Sequence, residues 1–336
     1  MNWVLKRTGQ SVFTVWAVAT ISFGLIRLMP GGAEDIIVAR IHESQGSDVP
    51  AEVIREQVQH RINIDPNAPI HEAYLQYMGG LVRGDFGHSV YLNRDVATIL
   101  AEALPWTIFL MAISTLLTFG LALSLGAMMA YKEGTRFDIS QTGVAILTTS
   151  IPYYVAAVLF IAYLGNRTSI FPARGRYPAV VEPGFTIQFI VGSFHHAILP
   201  AASFVLTVYG LTALAMRGNS IQILGEDYVR VARLRGLSDR RIALRYVGRN
   251  AVLPMYTSLL ISIGFMFGGS IILEELFQYP GIGYYMYQAI EYQDMPLMMG
   301  TFLVITVAVV IALFVGDATY SKLDPRIKSG DDSESY

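Results

Sequence analysis

Residues 226–254, EDYVRVARLRGLSDRRIALRYVGRNAVLP, set the tightest limit on the fold. They carry seven arginines, three acids and no lysine, and they sit between long apolar runs. At ~2.5–3.5 kcal/mol per central arginine, burying the set in a bilayer would cost on the order of 20 kcal/mol. The stretch therefore lies in water beside a membrane, and the excess of positive charge places it on the cytoplasmic side.

Its local pattern reads helix, break, helix. Asp227–Arg235 has helical spacing, with Tyr228, Val231 and Leu234 on one face and Arg230 and Arg233 towards another. Gly236 suits a left-handed C-terminal cap. Ser238 suits an N-cap, with Asp239 in the first turn of the next helix. Arg240, Arg241, Arg245 and Arg249 follow at roughly helical intervals up to Pro254. On physical grounds alone two readings stand level: an amphipathic helix resting on anionic lipid, and a docking surface for an acidic partner.

The rest of the chain agrees with a multi-span membrane protein. Of its 336 residues 53% are hydrophobic and 15% charged. Cysteine is absent, which excludes disulfides and thiolate chemistry. Gly9–Met29 reads as a retained first span, because the apolar stretch is too long for a signal core and ends in Arg-Leu-Met-Pro-Gly-Gly. Residues 33–103 hold eleven acids and five arginines and read as an external segment, with helical periodicity over 51–61 and 70–82. Further spans are expected at Leu104–Tyr131, Ile139–Leu164 with Pro152 inside it, His196–Met216, Ala251–Leu273 and Leu297–Tyr320. Both termini are then cytoplasmic, and the domain plan is 1–30, 31–103, a five-helix core over 104–321 with the basic loop at 217–250 inside it, and an acidic tail over 322–336. Gly264 and Gly268 form a G-x-x-x-G surface for close helix approach. The histidines show no metal-ligand spacing, so no metal site is expected.

Several motifs resemble a known family. Tyr-Val-Arg-x-Ala-Arg-x-x-Gly-Leu-Ser at 228–238, Arg-Asn-Ala-x-Leu-Pro at 249–254, Phe-x-x-Pro-Gly-x-Gly at 277–283 and Leu-Asp-Pro-Arg at 323–326 are similar to the permease subunits of ATP-binding-cassette importers. The closest resemblance is to the dipeptide/oligopeptide (peptide/nickel) branch, in its B-type subunit with a long first external loop. It covers about residues 3–328. It implies an all-α type I importer permease with six transmembrane helices, in the plasma membrane. It also implies a homologous second permease, two ATPase subunits and an external solute-binding protein as partners, besides membrane lipid and without nucleic acid. Tyr228, Arg230, Ala232, Arg233, Gly236, Leu237 and Ser238 would then contact the ATPase. Pro152, Glu274, Glu275, Phe277, Pro280 and Gly281 are expected near the pathway, with interfacial carboxylates as the plainer reading of the two glutamates.

The chain has no Gly-x-x-x-x-Gly-Lys-Ser/Thr loop to cradle ATP phosphates, so it is expected to bind no cofactor; ATP would be used by the partner subunits. No nucleophile or metallohydrolase motif supports an enzyme. The alternatives are a stand-alone carrier or channel, and the same importer class with nickel or another small solute as cargo.

Overall fold

The computed structural model describes residues 2–28, 68–238, 241–266 and 271–323, with 38, 50, 52–54 and 56 besides. Among these the regular structure is helical, with one antiparallel bridge between His88 and Asp95. The helices are α1 (Asn2–Leu28), α2 (Ile70–Val82), α3 (Val96–Tyr131), α4 (Arg136–Thr149), α5 (Tyr153–Phe160), α6 (Ile187–Leu224), α7 (Asp227–Leu234), α8 (Arg249–Met266), α9 (Ile271–Leu276), α10 (Ile282–Glu291) and α11 (Met295–Leu323). Two π-helical segments, Ile161–Arg167 and Ile242–Gly248, follow α5 and precede α8. The periodicity over 70–82 is realised as α2, whereas most of 51–61, Gly268 and Gly269 lie outside the described residues.

Among the described residues three helical stretches are long and apolar enough to cross a bilayer: α3, α6 and Met295–Gly316 of α11. A fourth appears if α4 and the α5–π run are counted as one span, although they meet at 87°. The stretch expected as a span over Ile139–Leu164 is thus broken into two helices at Pro152. Pro152 has no N–H to continue the ladder and sits at φ −59°, ψ 138°, outside the helical region. Its carbonyl accepts from Val155 and Ala156 and starts a new helix in a new direction. The fourth expected span is also longer than His196–Met216. Thr186 caps α6 by accepting from Phe189 N at 3.2 Å, and the helix runs 38 residues to Leu224. At 1.5 Å per residue it is about 57 Å long, well beyond ~30 Å of hydrocarbon.

The chain divides into two compact units. The first comprises Met1–Ile108, Phe267–Glu275 and Pro280–Thr319. In it α2 lies on α1 through Phe23, whose ring meets Tyr74 and Tyr77 at 5.3 and 5.7 Å, and Thr20 shares a 2.8 Å hydrogen bond with the Tyr74 hydroxyl. A second cluster joins Val96, Ile99, Leu100 and Ala103 to Ile282, Ala289 and Leu297, all buried. The other unit comprises Phe109–Met266, Leu276–Tyr279 and Tyr320–Tyr336. There α4 packs along α6, and Gly210 brings the backbones so close that a Cβ would overlap the Ala145 carbonyl and the Thr149 hydroxyl.

Candidate coupling site

The arginine-rich stretch forms the helix, break and helix that its residues predict. Asp227 lies in the first turn of α7 and Arg233 in its last, each complementing the helix dipole. Gly236 has φ +70° and donates to the Arg233 carbonyl at 2.9 Å, while Leu237 N donates to the Ala232 carbonyl at 3.3 Å. That pair of bonds is a Schellman cap, which places glycine at the left-handed position. Ser238 O then accepts from Arg241 N and Ile242 N and begins the next helix. Asp239 and Arg240 lie outside the described residues. The second helix is not regular: its first turns are π-helical before α8 takes over, with Pro254 inside α8.

Packing sorts the residues of α7 into two faces. Val229 and Ala232 are buried, at 0% and 2% exposure, against Ile242 and Val247, with Ile223, Leu224, Leu237 and Tyr246 around them. Tyr228, Val231 and Leu234 face outward at 41%, 52% and 81% exposure. Arg230, Arg233, Arg235, Gly236 and Ser238 are exposed beside them. The helix thus has an apolar inner face seated on its own chain and an apolar outer face ringed by arginines. Ala232 belongs to the inner face, so it supports the surface from behind and does not present itself to a partner. Leu237 closes the same inner cluster. Tyr228 is steadied by Asn250, whose side-chain amide donates to its hydroxyl at 3.1 Å and to the Tyr246 carbonyl at 2.9 Å.

The residues expected near the pathway fall into a different arrangement. Glu274 is fully buried. Its Oε1 accepts from the Thr107 hydroxyl at 3.0 Å, and its Oε2 accepts from Tyr284 N at 3.1 Å. Tyr284 is the third residue of α10, so the carboxylate caps that helix and meets the positive end of its dipole. Thr107 in turn accepts from Ile282 N at 2.7 Å. Gly281 sits between them: a Cβ there would overlap Thr107 Oγ1 and the Glu274 carboxyl. Glu274 and Gly281 are therefore joined in one buried staple at the head of α10. Phe277 and Tyr279 are buried as well, and the Phe277 carbonyl accepts from Gly175 N at 2.9 Å. Pro152 stands at the α4–α5 break.

Glu275 is half-buried, with one carboxylate oxygen that finds no hydrogen-bond partner. Burial pushes its carboxyl up from the ordinary carboxylate value; a Gln288 hydrogen bond opposes this and the charge of Glu291 adds to it. A second buried acid escaped the sequence reading. Asp294 is 1% exposed and caps α11 by accepting from Leu297 N at 3.2 Å. Its other oxygen accepts from Ser89 Oγ at 2.6 Å and Tyr91 N at 2.9 Å. The rings of Tyr91 and Tyr292 stack beside it at 3.7 Å. An acid one residue before a helix start is the signal that could have found it. No cluster of three or more potential metal ligands occurs among the described residues.

The comparison with known proteins decides the class. The family described as "Binding-protein-dependent transport system inner membrane component" matches residues 122–329, more than half of the chain. The chain belongs to this family. Relatives extend over nearly its full length. It is 28% identical to the inner membrane ABC transporter permease protein YejB of Escherichia coli O157:H7, covering 97% of this chain and 98% of that one. It is 28% identical to the oligopeptide transport system permease protein AppB of Bacillus subtilis, covering 97% and 99%. It is also 28% identical to the di/tripeptide transport system permease protein DppB of Pseudomonas aeruginosa, covering 98% and 99%. Among solved structures, a chain of the MetNI methionine ABC transporter in an inward-facing form shares the fold, with TM-score 0.51 and 13% identity over 67% of this chain and 96% of that one. This inner membrane component is thus a multi-pass permease of a binding-protein-dependent importer, and the stand-alone carrier reading falls.

Proposed function

We propose that this permease moves di- or oligopeptides across the plasma membrane by alternating access, driven by separate ATPase subunits that dock on α7. The observation that carries the docking is the outer face of α7. Tyr228, Val231 and Leu234 leave apolar surface in water, ringed by arginines, although the helix already has a buried inner face. Exposed apolar surface with a polar rim marks an interaction site. In this reading Tyr228 anchors, Arg230 and Arg233 register the partner by charge, and the Gly236–Leu237–Ser238 turn sets the angle of the handle. The complete assembly has a second homologous permease, two ATPases that bind and hydrolyse ATP, and an external binding protein. α1 and the span expected over Ala251–Leu273 complete six spans, leaving both termini in the cytoplasm. Peptide cargo is supported by the names of the relatives, which are peptide permeases from three genera. Within unit one, the Glu274–Thr107–Gly281 staple holds α10 rigid on the external side, and Glu275, with its unpaired oxygen, is the acid left to meet a cationic amino terminus.

The test is Gly236→Pro in the transporter co-expressed with its ATPases. Proline cannot adopt φ +70°, so the cap is lost while the spans are untouched. The expected result is normal membrane abundance, with uptake of a labelled dipeptide uncoupled from ATP hydrolysis. Uptake per ATP hydrolysed at the wild-type level would refute the role of α7.

A further inference from the structure

Asp138 lies 79 positions from Arg217 in sequence, and the two side chains are locked together. Arg217 Nε donates to Asp138 Oδ1 at 2.6 Å and Nη2 donates to Oδ2 at 2.7 Å, the planar fork-to-carboxylate geometry that fixes direction as well as distance. Asp138 is 2% exposed. The same Oδ2 accepts from Gly134 N at 3.0 Å, and Asp138 N donates to the Thr135 hydroxyl at 3.5 Å. The carboxylate is therefore built into the tight α3–α4 turn, where Gly134 takes φ +74°. The guanidinium stands on α6 about two turns before its end, and Gly225 then hands the chain to α7.

α4 and α6 are thus held at two heights. At Gly210 the contact is a close approach to the Ala145 carbonyl and the Thr149 hydroxyl, and the glycine has no side chain with which to grip either of them. At Asp138–Arg217 two charge-assisted bonds resist both sliding and rotation. We propose that the Asp138–Arg217 pair is the joint that makes α4 follow α6 when α7 is displaced. Both are positioning residues, and the inference rests on the reading of α7 as the ATPase contact.

The test uses the full transporter with its ATPases in lipid vesicles. This chain has no cysteine, so with partner subunits made cysteine-free, nitroxide labels at Ser140→Cys on α4 and Gln222→Cys on α6 of this chain report one distance. Both positions are exposed. The double variant Asp138→Asn with Arg217→Met keeps an acceptor for Gly134 N and leaves no unpaired buried charge. In the wild type the distance should stay within about 2 Å on adding AMP-PNP and magnesium. In the double variant it should broaden or shift by about 5 Å, the scale of one helical turn. Arg217→Lys keeps the charge without the fork and should fall between; it carries the test if the double variant does not accumulate. A wild-type distance profile in these variants, while a label at the exposed Glu226→Cys still responds to nucleotide, overturns the joint. A label at Glu226→Cys that ignores nucleotide in the wild type overturns the α7 reading instead.

Discussion

Gly281→Ala is the sharpest probe of the staple that holds α10. The glycine backbone, at φ −110° and ψ −168°, suits any residue, so the penalty comes from contact and not from strain. The new Cβ would overlap Thr107 Oγ1 and the Glu274 carboxyl. Both side chains are fully buried, so neither can move into water. Pushing the Thr107 hydroxyl aside breaks the bond from Ile282 N and the charge-assisted bond to Glu274. One neutral bond and one charged bond, left unmade in a buried site, sum to about 3–4 kcal/mol. For a chain of this size that lowers the thermal midpoint by roughly 4–6 °C. The assay is heating in detergent, followed by the fraction that still elutes as a monodisperse peak. Thr107→Ala removes the struck hydroxyl, so the double variant Thr107→Ala/Gly281→Ala should lose at least about 1 kcal/mol less than the two singles summed. A Gly281→Ala protein within about 0.5 kcal/mol of wild type, or strictly additive singles, would sink the assignment.

Two further outcomes follow from the other acids. Asp294→Ala removes the cap of α11 and the grip on Ser89 and Tyr91, costing about 2–4 kcal/mol, while Asp294→Asn retains part of it; the same heating assay ranks the three proteins. Glu275 is raised in the folded state, so its contribution is full below the ordinary carboxylate value of about 4.3 and is lost as pH rises through the folded-state value. The wild-type midpoint should therefore fall, relative to Glu275→Gln, as pH rises from about 4.3 towards neutral; parallel midpoint-against-pH curves would contradict the burial of this carboxyl.

Local features were legible in the chain. Gly236 followed by Leu and Ser announces a left-handed cap, and the structure builds that cap with both expected bonds. Pro152 announces a disturbance, but not its size, because the 87° turn between α4 and α5 depends on what each half packs against. In the sequence Asp138 merely precedes the span expected from Ile139, and Arg217 merely opens the 217–250 loop. Nothing in their spacing shows that they meet, since the contact exists only because Gly210 lets α4 and α6 lie side by side. The same limit applies to Glu274. Its position near Pro280-Gly281 is visible, but its burial and its two donors come from α3 and α10.

By itself the sequence determined that this is a helical membrane chain, that the seven-arginine stretch stays out of the hydrocarbon, and where its helix must turn. Those are additive consequences of transfer energies and backbone preferences, which each residue carries wherever it goes. Only the tertiary structure decided which apolar side of α7 is seated and which is left bare, and which acids are bound up in caps. Amphipathic spacing marks a face without naming its neighbour, and a carboxylate's role depends on donors that distant segments bring to it.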